Sequence, residues 1–112
     1  MTKSNPSRGD VVIVDFDPQA GHEQAGKRPG LVVSDGRFNA VTGFVFVCPI
    51  TNQAKGFPFE VAVSGAKKTT GVVLAHQVKS LDIKARNIVV VDHVSKSVVD
   101  DVVSLINKII TP

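Results

Sequence analysis

Residues 21–30, GHEQAGKRPG, place an imidazole (His22), a carboxylate (Glu23), an amide (Gln24) and two cations (Lys27 and Arg28) within ten positions. No apolar side chain there exceeds alanine except the ring of Pro29, so the stretch has little to offer a core. Glycines 21 and 26 permit backbone angles that other residues avoid, and Pro29 fixes where the chain leaves the loop. Arg28 is therefore held beside a rigid position. Its planar fork matches a phosphate or a carboxylate, although the same arginine would serve as a solvated surface charge. His22 and Glu23 are the two loop groups whose ordinary pKa values allow them to accept a proton near neutrality.

Two further polar clusters interrupt apolar stretches. PITNQAKG, residues 49–56, supplies Thr51, Asn52, Gln53 and Lys55 between a proline and a glycine. AHQVK, residues 75–79, supplies His76, Gln77 and Lys79. Each cluster alone reads equally as a polar turn, and His76 alone as a structural hydrogen bonder. Other chemistries lack their residues. One cysteine and three scattered histidines (His22, His76, His93) do not provide a zinc ligand set. There is no phosphate-cradling glycine motif and no G-x-S-x-G turn. Asp15 and Asp17 stand without further carboxylates, so no metal site and no cofactor are expected.

The elements that must position these clusters are short and rich in valine, which is stiff at its first torsion and suits a pleated surface. VVIVDF (11–16), LVVS (31–34), FVFVCPI (44–50), FEVAV (59–63), GVVLA (71–75) and NIVVV (87–91) read as strands, with QVKSL (77–81) continuing the fifth past a bend. Phe16 fits either a core position or a base-stacking surface. The segment holding Asp35, Gly36 and Asn39 reads as a polar turn. From residue 95 the period changes: apolar positions 98, 99, 102, 105, 106, 109 and 110 follow helical spacing. Ser95 or Ser97 would cap this helix, Ser97 with Asp100 resembles a capping box, and Asp100 and Asp101 would face the positive end of its dipole. The fold class is mainly β: six or seven strands over 8–94 in a small curled, barrel-like sheet, closed by one amphipathic helix over 95–110, all in one domain.

With 112 residues, a split chain would leave halves too small for separate cores. Cys48 is the only cysteine, which excludes an internal disulfide and suits a reducing compartment. The opening MTKSNPSR lacks a signal peptide's apolar centre, and no apolar run nears the roughly 20 residues needed to span a bilayer. A cytoplasmic protein without a membrane partner is expected. The net charge is only +3, but residues 1–91 hold 11 Lys/Arg against 7 acids, while residues 92–112 hold 2 against 3. The positive excess accompanies the strands, where it would meet an anionic partner or remain a solvated surface.

Three segments in order, RGDVVIVDFDPQAGHEQAGKRPGLVVS, CPITNQAKGFPFEV and GVVLAHQVKS, resemble the MazF/PemK family of toxin endoribonucleases over roughly residues 8–91. The resemblance implies an SH3-like barrel with a C-terminal helix, assembled as a homodimer. It also implies metal-independent, sequence-specific cutting of single-stranded mRNA, leaving a 2′,3′-cyclic phosphate and a 5′-hydroxyl. The implied partner is a cognate antitoxin whose acidic C-terminal tail lies across the RNA groove. Carried over by position, Arg28 and Thr51 fall on the family's catalytic arginine and threonine, and Glu23 on an acidic position associated with activity. Asn52 stands where some relatives have a second threonine, and His76 where others have aspartate; both departures bear on the target sequence.

That reaction suits these side chains. RNA carries its own nucleophile, the 2′-OH, so the enzyme mainly aligns the strand and stabilises the extra charge on the phosphorane. Arg28 can hold that charge and Thr51 can donate to a non-bridging oxygen, while the proton acceptor stays unassigned. Phe16, Asn52, Gln53, His76, Gln77 and Lys79 are candidates for contacting splayed bases, with Lys27 and Lys55 drawing in the backbone. Two other readings share the fold: a CcdB-like toxin that poisons DNA gyrase, and a non-catalytic RNA- or partner-binding module.

Overall fold

A computed structural model describes residues 5–112; the first half of the polar opening MTKSNPSR lies outside the described residues. Seven strands form an antiparallel sheet: β1 (Asp10–Asp15), β2 (Lys27–Val32), β3 (Phe44–Thr51), β4 (Glu60–Ala62), β5 (Val72–Leu74), β6 (Lys79–Asp82) and β7 (Val89–His93). The path runs β4-β5-β3-β2-β1-β7, with β6 also paired to β3. It curls without closing, since β4 and β7 end the path unpaired to each other. Helices α1 (Gly36–Thr42) and α2 (Lys96–Ile110) complete the fold.

The valine-rich strands are nearly continuous in apolar residues because both sheet faces are covered. On one face Val11, Leu31, Cys48, Ile50 and Val73 pack with Val98, Val99 and Val102 of α2. On the other, Val12, Val14, Phe16, Val32, Val45, Val47 and Leu81 form a second cluster. Within β1, Val11 belongs to the first cluster and Val12 and Val14 to the second, the latter two sharing a face as the two-residue period of a strand requires. Cys48 is fully buried, and burial pushes its thiol up to about 12, which makes it an inert packing group.

Four local expectations are corrected. The second strand begins at Lys27, not residue 31, because Pro29 pairs across to Ile13 within the β1–β2 ladder. The expected turn at 35–39 is helix α1: the Asp35 carboxylate accepts from the Arg37 amide, and Gly43 closes the C-terminus with φ of 74°. Asn39 looks like a turn residue but is buried, its Nδ2 donating to the Pro6 carbonyl at 2.7 Å. Helix α2 is entered from Ser95, and its hydroxyl meets those of Ser64 and Ser97, so no capping box forms. Asp100 and Asp101 lie beyond the first turn, where Asp100 pairs with Arg8 (2.8 Å) and Lys96 (2.7 Å).

The segment QVKSL does not simply prolong β5. β5 and β6 run along the same edge of β3, separated by a 3-10 turn at Ala75–Gln77. Ile50 faces Val73 whereas Val47 faces Lys79, so six steps on this edge match three on β3. The surplus of three equals the length of the turn. Residues 75–77 are thereby pushed out of the ladder beside the C-terminal end of β3.

Candidate active site

The loop between β1 and β2 is pinned at its base and across its middle. The Phe16 amide donates to the Gly26 carbonyl (3.0 Å), and the Gly26 amide to Asp17 Oδ1 (2.9 Å). Arg86 Nη1 donates to the carbonyls of Asp15 (2.9 Å) and Asp17 (2.6 Å). Farther out, the Gln24 amide donates to Gln77 Oε1 at 2.9 Å, tying the loop to the 75–77 turn. A long polar loop thus arrives at one place.

Arg28 lies in β2, half-buried, with Nε donating to the Ala25 carbonyl at 2.9 Å. Its terminal nitrogens make no hydrogen bond among the described residues, so the outer fork remains available. The β2–β3 register pairs Gly30 with Pro49, Leu31 with Cys48 and Val32 with Val47. The β2–β3 ladder ends at Gly30–Pro49, so Arg28, paired with Val14 of β1, and Thr51, paired with Val72 of β5, each lie two residues past that last shared pair on neighbouring strands. Thr51 is 9% exposed, and its Oγ1 accepts from the Gln53 amide at 3.1 Å. With that acceptor role filled, the hydroxyl proton is free to donate outward.

Thr51, Gln53, Lys55, His76 and Gln77 line one pocket of about 330 Å³, together with His22, Gln24, Phe57, Phe59, Glu60 and Leu74. A neighbouring pocket of about 410 Å³ is lined by His22, Glu23, His76, Gln77, Val78 and Lys79. Three clusters far apart in sequence therefore converge on one concave surface. Arg28 and Lys27 stand outside both linings, Lys27 exposed at the start of β2 opposite Asp15.

The acid–base groups differ in their freedom. Glu23 Oε1 accepts from the Ala20 amide (3.1 Å) and Lys79 Nζ (3.3 Å), and these contacts, the amide first, hold its carboxyl below the usual range. It acts as an ionised tie more readily than as a proton shuttle. His76 is lowered by burial against the neighbouring apolar surface, with the Glu60 charge opposing that shift, so its imidazole is neutral at pH 7. Glu60 Oε1 and Oε2 accept from the amides of Gly56 (3.0 Å) and Lys55 (3.0 Å), shaping the 52–58 loop.

Besides Arg28 and Lys27, two further candidates drawn from the sequence are not brought to the pocket. Phe16 is 2% exposed and packs in the second core cluster, so it has no face for a base. Asn52 lies outside the lining, its Oδ1 accepting from Thr70 Oγ1 at 3.0 Å. Two residues were missed. Phe57 and Phe59 line the pocket, and the only signal for them was an FPF run within an otherwise polar stretch.

Residues 7–110 match the family model described as PemK-like, MazF-like toxin of type II toxin-antitoxin system. The chain belongs to this family. The endoribonuclease toxin MazF of Escherichia coli (strain K12) is 51% identical over 81 residues, covering 72% of each chain. The crystal structure of MazF (Form-I) from Deinococcus radiodurans superposes with a TM-score of 0.91 at 38% identity, covering 98% of this chain and 100% of that one. MazF in the MazE-MazF structure (Form-II) from the same organism gives 0.83 at 32% identity, covering 97% and 98%. The MazF-like fold thus accounts for the curled sheet and terminal helix. Among the described residues of this MazF-like toxin, no helix is long and apolar enough to cross a membrane.

Proposed function

We propose that this endoribonuclease toxin cuts single-stranded mRNA at a short sequence, without a metal, by attack of the substrate's own 2′-OH. Arg28 holds the negative charge that develops on the phosphorane, and Thr51 donates its hydroxyl to a non-bridging oxygen. The 5′-oxygen leaves, yielding a 2′,3′-cyclic phosphate and a 5′-hydroxyl. Glu23 anchors the loop through Lys79. Gln53, His76 and Gln77 meet bases, and Lys27 and Lys55 draw in the strand. The observation that supports this reading is a guanidinium whose outer fork makes no hydrogen bond among the described residues, on the strand next to the one whose last residue, Thr51, offers an uncommitted hydroxyl proton to a polar pocket. The MazF named in the comparison is itself an endoribonuclease.

The same cations suit the acidic tail of a cognate antitoxin, which would occupy the groove in place of RNA, and two copies assemble as a homodimer in the cytoplasm. The MazE-MazF pairing of the Deinococcus structure supports an antitoxin partner.

The test is incubation of purified protein with a long mixed-sequence RNA in EDTA, followed by sequencing of the fragment 5′ ends. Discrete cuts with 5′-hydroxyl termini are expected. Arg28→Ala and Thr51→Ala should each fold and lose about a hundred- to a thousandfold in rate. Intact RNA, or wild-type rates in either variant, ends the assignment.

A further inference from the structure

Phe57 is 47% exposed in the loop between β3 and β4. Its ring centroid lies 5.1 Å from that of Phe59, tilted by 41°, and Phe59 lies 3.8 Å from the imidazole of His76. The three rings form one continuous chain of tilted contacts across two chain segments, and all three line the pocket that holds Thr51. Leaving a phenylalanine half in water forgoes burial, and neither core cluster draws on this ring. Flat rings at a pocket mouth beside a cation, here Lys55, form the kind of platform on which unpaired bases stack. The Gln53 side-chain amide makes no hydrogen bond among the described residues, so it can both donate to and accept from a base edge.

We infer that Phe57, Phe59 and His76 form a stacking ledge for one unpaired base of the RNA, with Phe57 as its outer plate and Gln53 reading that base's edge. The inference rests on the RNA-cutting function proposed above. Phe59 and His76 set the tilt of the ledge from beneath, and Phe57 supplies the contact. The base next to the scissile phosphate is thus held by ring stacking, and the fork of Arg28 is left for the phosphate itself.

The test uses a ten-nucleotide RNA spanning the strongest mapped cut, made as a set with one abasic position each, and a matching set with a 2′-deoxy sugar at the cut for binding. In the wild type, one abasic position near the cut should lose about ten- to a hundredfold in affinity and in kcat/KM. Phe57→Ala should show the same loss on the intact RNA and no further loss at that position, while Phe57→Tyr keeps wild-type behaviour. Gln53→Ala should change which base is preferred there. A Phe57→Ala protein with wild-type affinity and an unchanged abasic profile overturns the ledge but leaves the cleavage reading standing. So does an effect of Phe57→Ala on oligomeric mass alone. A wild-type protein that leaves RNA intact overturns both.

Discussion

The role proposed for Thr51 rests on the division of labour in one hydroxyl. Its oxygen accepts from the Gln53 amide and its proton has no acceptor among the described residues, so the proton can be given away. Thr51→Ser keeps both halves and should retain most of the cleavage rate. Thr51→Val keeps the volume, orphans the Gln53 amide and removes the donor, and should lose about a hundred- to a thousandfold. Single-turnover rates on a mapped RNA site check this. Arg28→Lys is a harsher change than its charge suggests, because an ammonium can neither hold the Ala25 carbonyl through Nε nor present a fork at the same time. Glu23 has a different task. Its carboxylate is held below the usual range by Ala20 and Lys79, so it is ionised at neutral pH and its tie is lost only as the solution becomes acidic. Glu23→Gln should therefore raise loop mobility, read as faster amide exchange at residues 20–24, more than it alters the pH–rate profile near neutrality.

Among the elements, β7 shows how a turn can be clamped by one side chain. Asp92 accepts from the amides of Lys67, Lys68, Thr69 and His93 and from the Thr69 hydroxyl, at 2.8 to 3.0 Å. Burial alone would raise its pKa, but these donors outweigh burial and hold it far below the ordinary carboxylate value. The folded pKa is depressed, so the stabilisation is complete above the unfolded value of about 3.9 and is lost as pH falls below it. Asp92→Ala should cost about 2 kcal/mol at pH 7 and flatten the acid limb of stability, measured by denaturant unfolding from pH 7 to 3. Gly30 is the converse case, a position where nothing fits. A Cβ there would strike the Val47 side chain and approach Phe16 Cζ to 3.2 Å, so Gly30→Ala should cost about 1–3 kcal/mol and lower Tm.

These elements also mark how far the sequence could be read. The strands and α2 were legible because β-branched runs and a 3.6-residue period leave strong local signals. So was the convergence of the three polar clusters, through motif order. Helix α1 was not, because Asp35, Gly36 and Asn39 have turn chemistry whether they cap a helix or end a loop, and the burial of Asn39 is decided by the distant Pro6 carbonyl. The burial of Phe16 was legible as one of two readings of the strand VVIVDF, but the exposure of Phe57 was not. Both are phenylalanines near polar loops, and only the packing against Gly30 and Val47 separates them.

On the scale of the whole molecule, charge is set by placement and not by total. A net +3 is modest, yet Lys55 lines the groove and Lys27 and Arg28 open β2 just past the groove-lining Gln24, all with no acidic side-chain partner among the described residues, while Lys79 is spent on Glu23. If three cations each neutralise one phosphate of a single strand, log K should fall against log salt with a slope of about −2. Lys55→Ala should make that slope shallower by about 0.7, checked by fluorescence anisotropy on an uncleavable RNA over a salt series. The double core explains why such a small chain tolerates a polar rim: α2 seals one face, residues such as Val102 at 0% exposure bear on the sheet directly, and the groove carries little of the stability.

The three residues expelled from the β3 edge have an evolutionary corollary. Val73 and Lys79 are each secured by their own ladder and Ala75 is fixed in the core, so His76 and Gln77 between them can be changed with neither neighbour changing partners. If His76 and Gln77 read bases as proposed, the scaffold can swap its reading head as a plotter swaps pens. New target preferences would then arise from small edits at one exposed corner, with the cutting chemistry inherited intact.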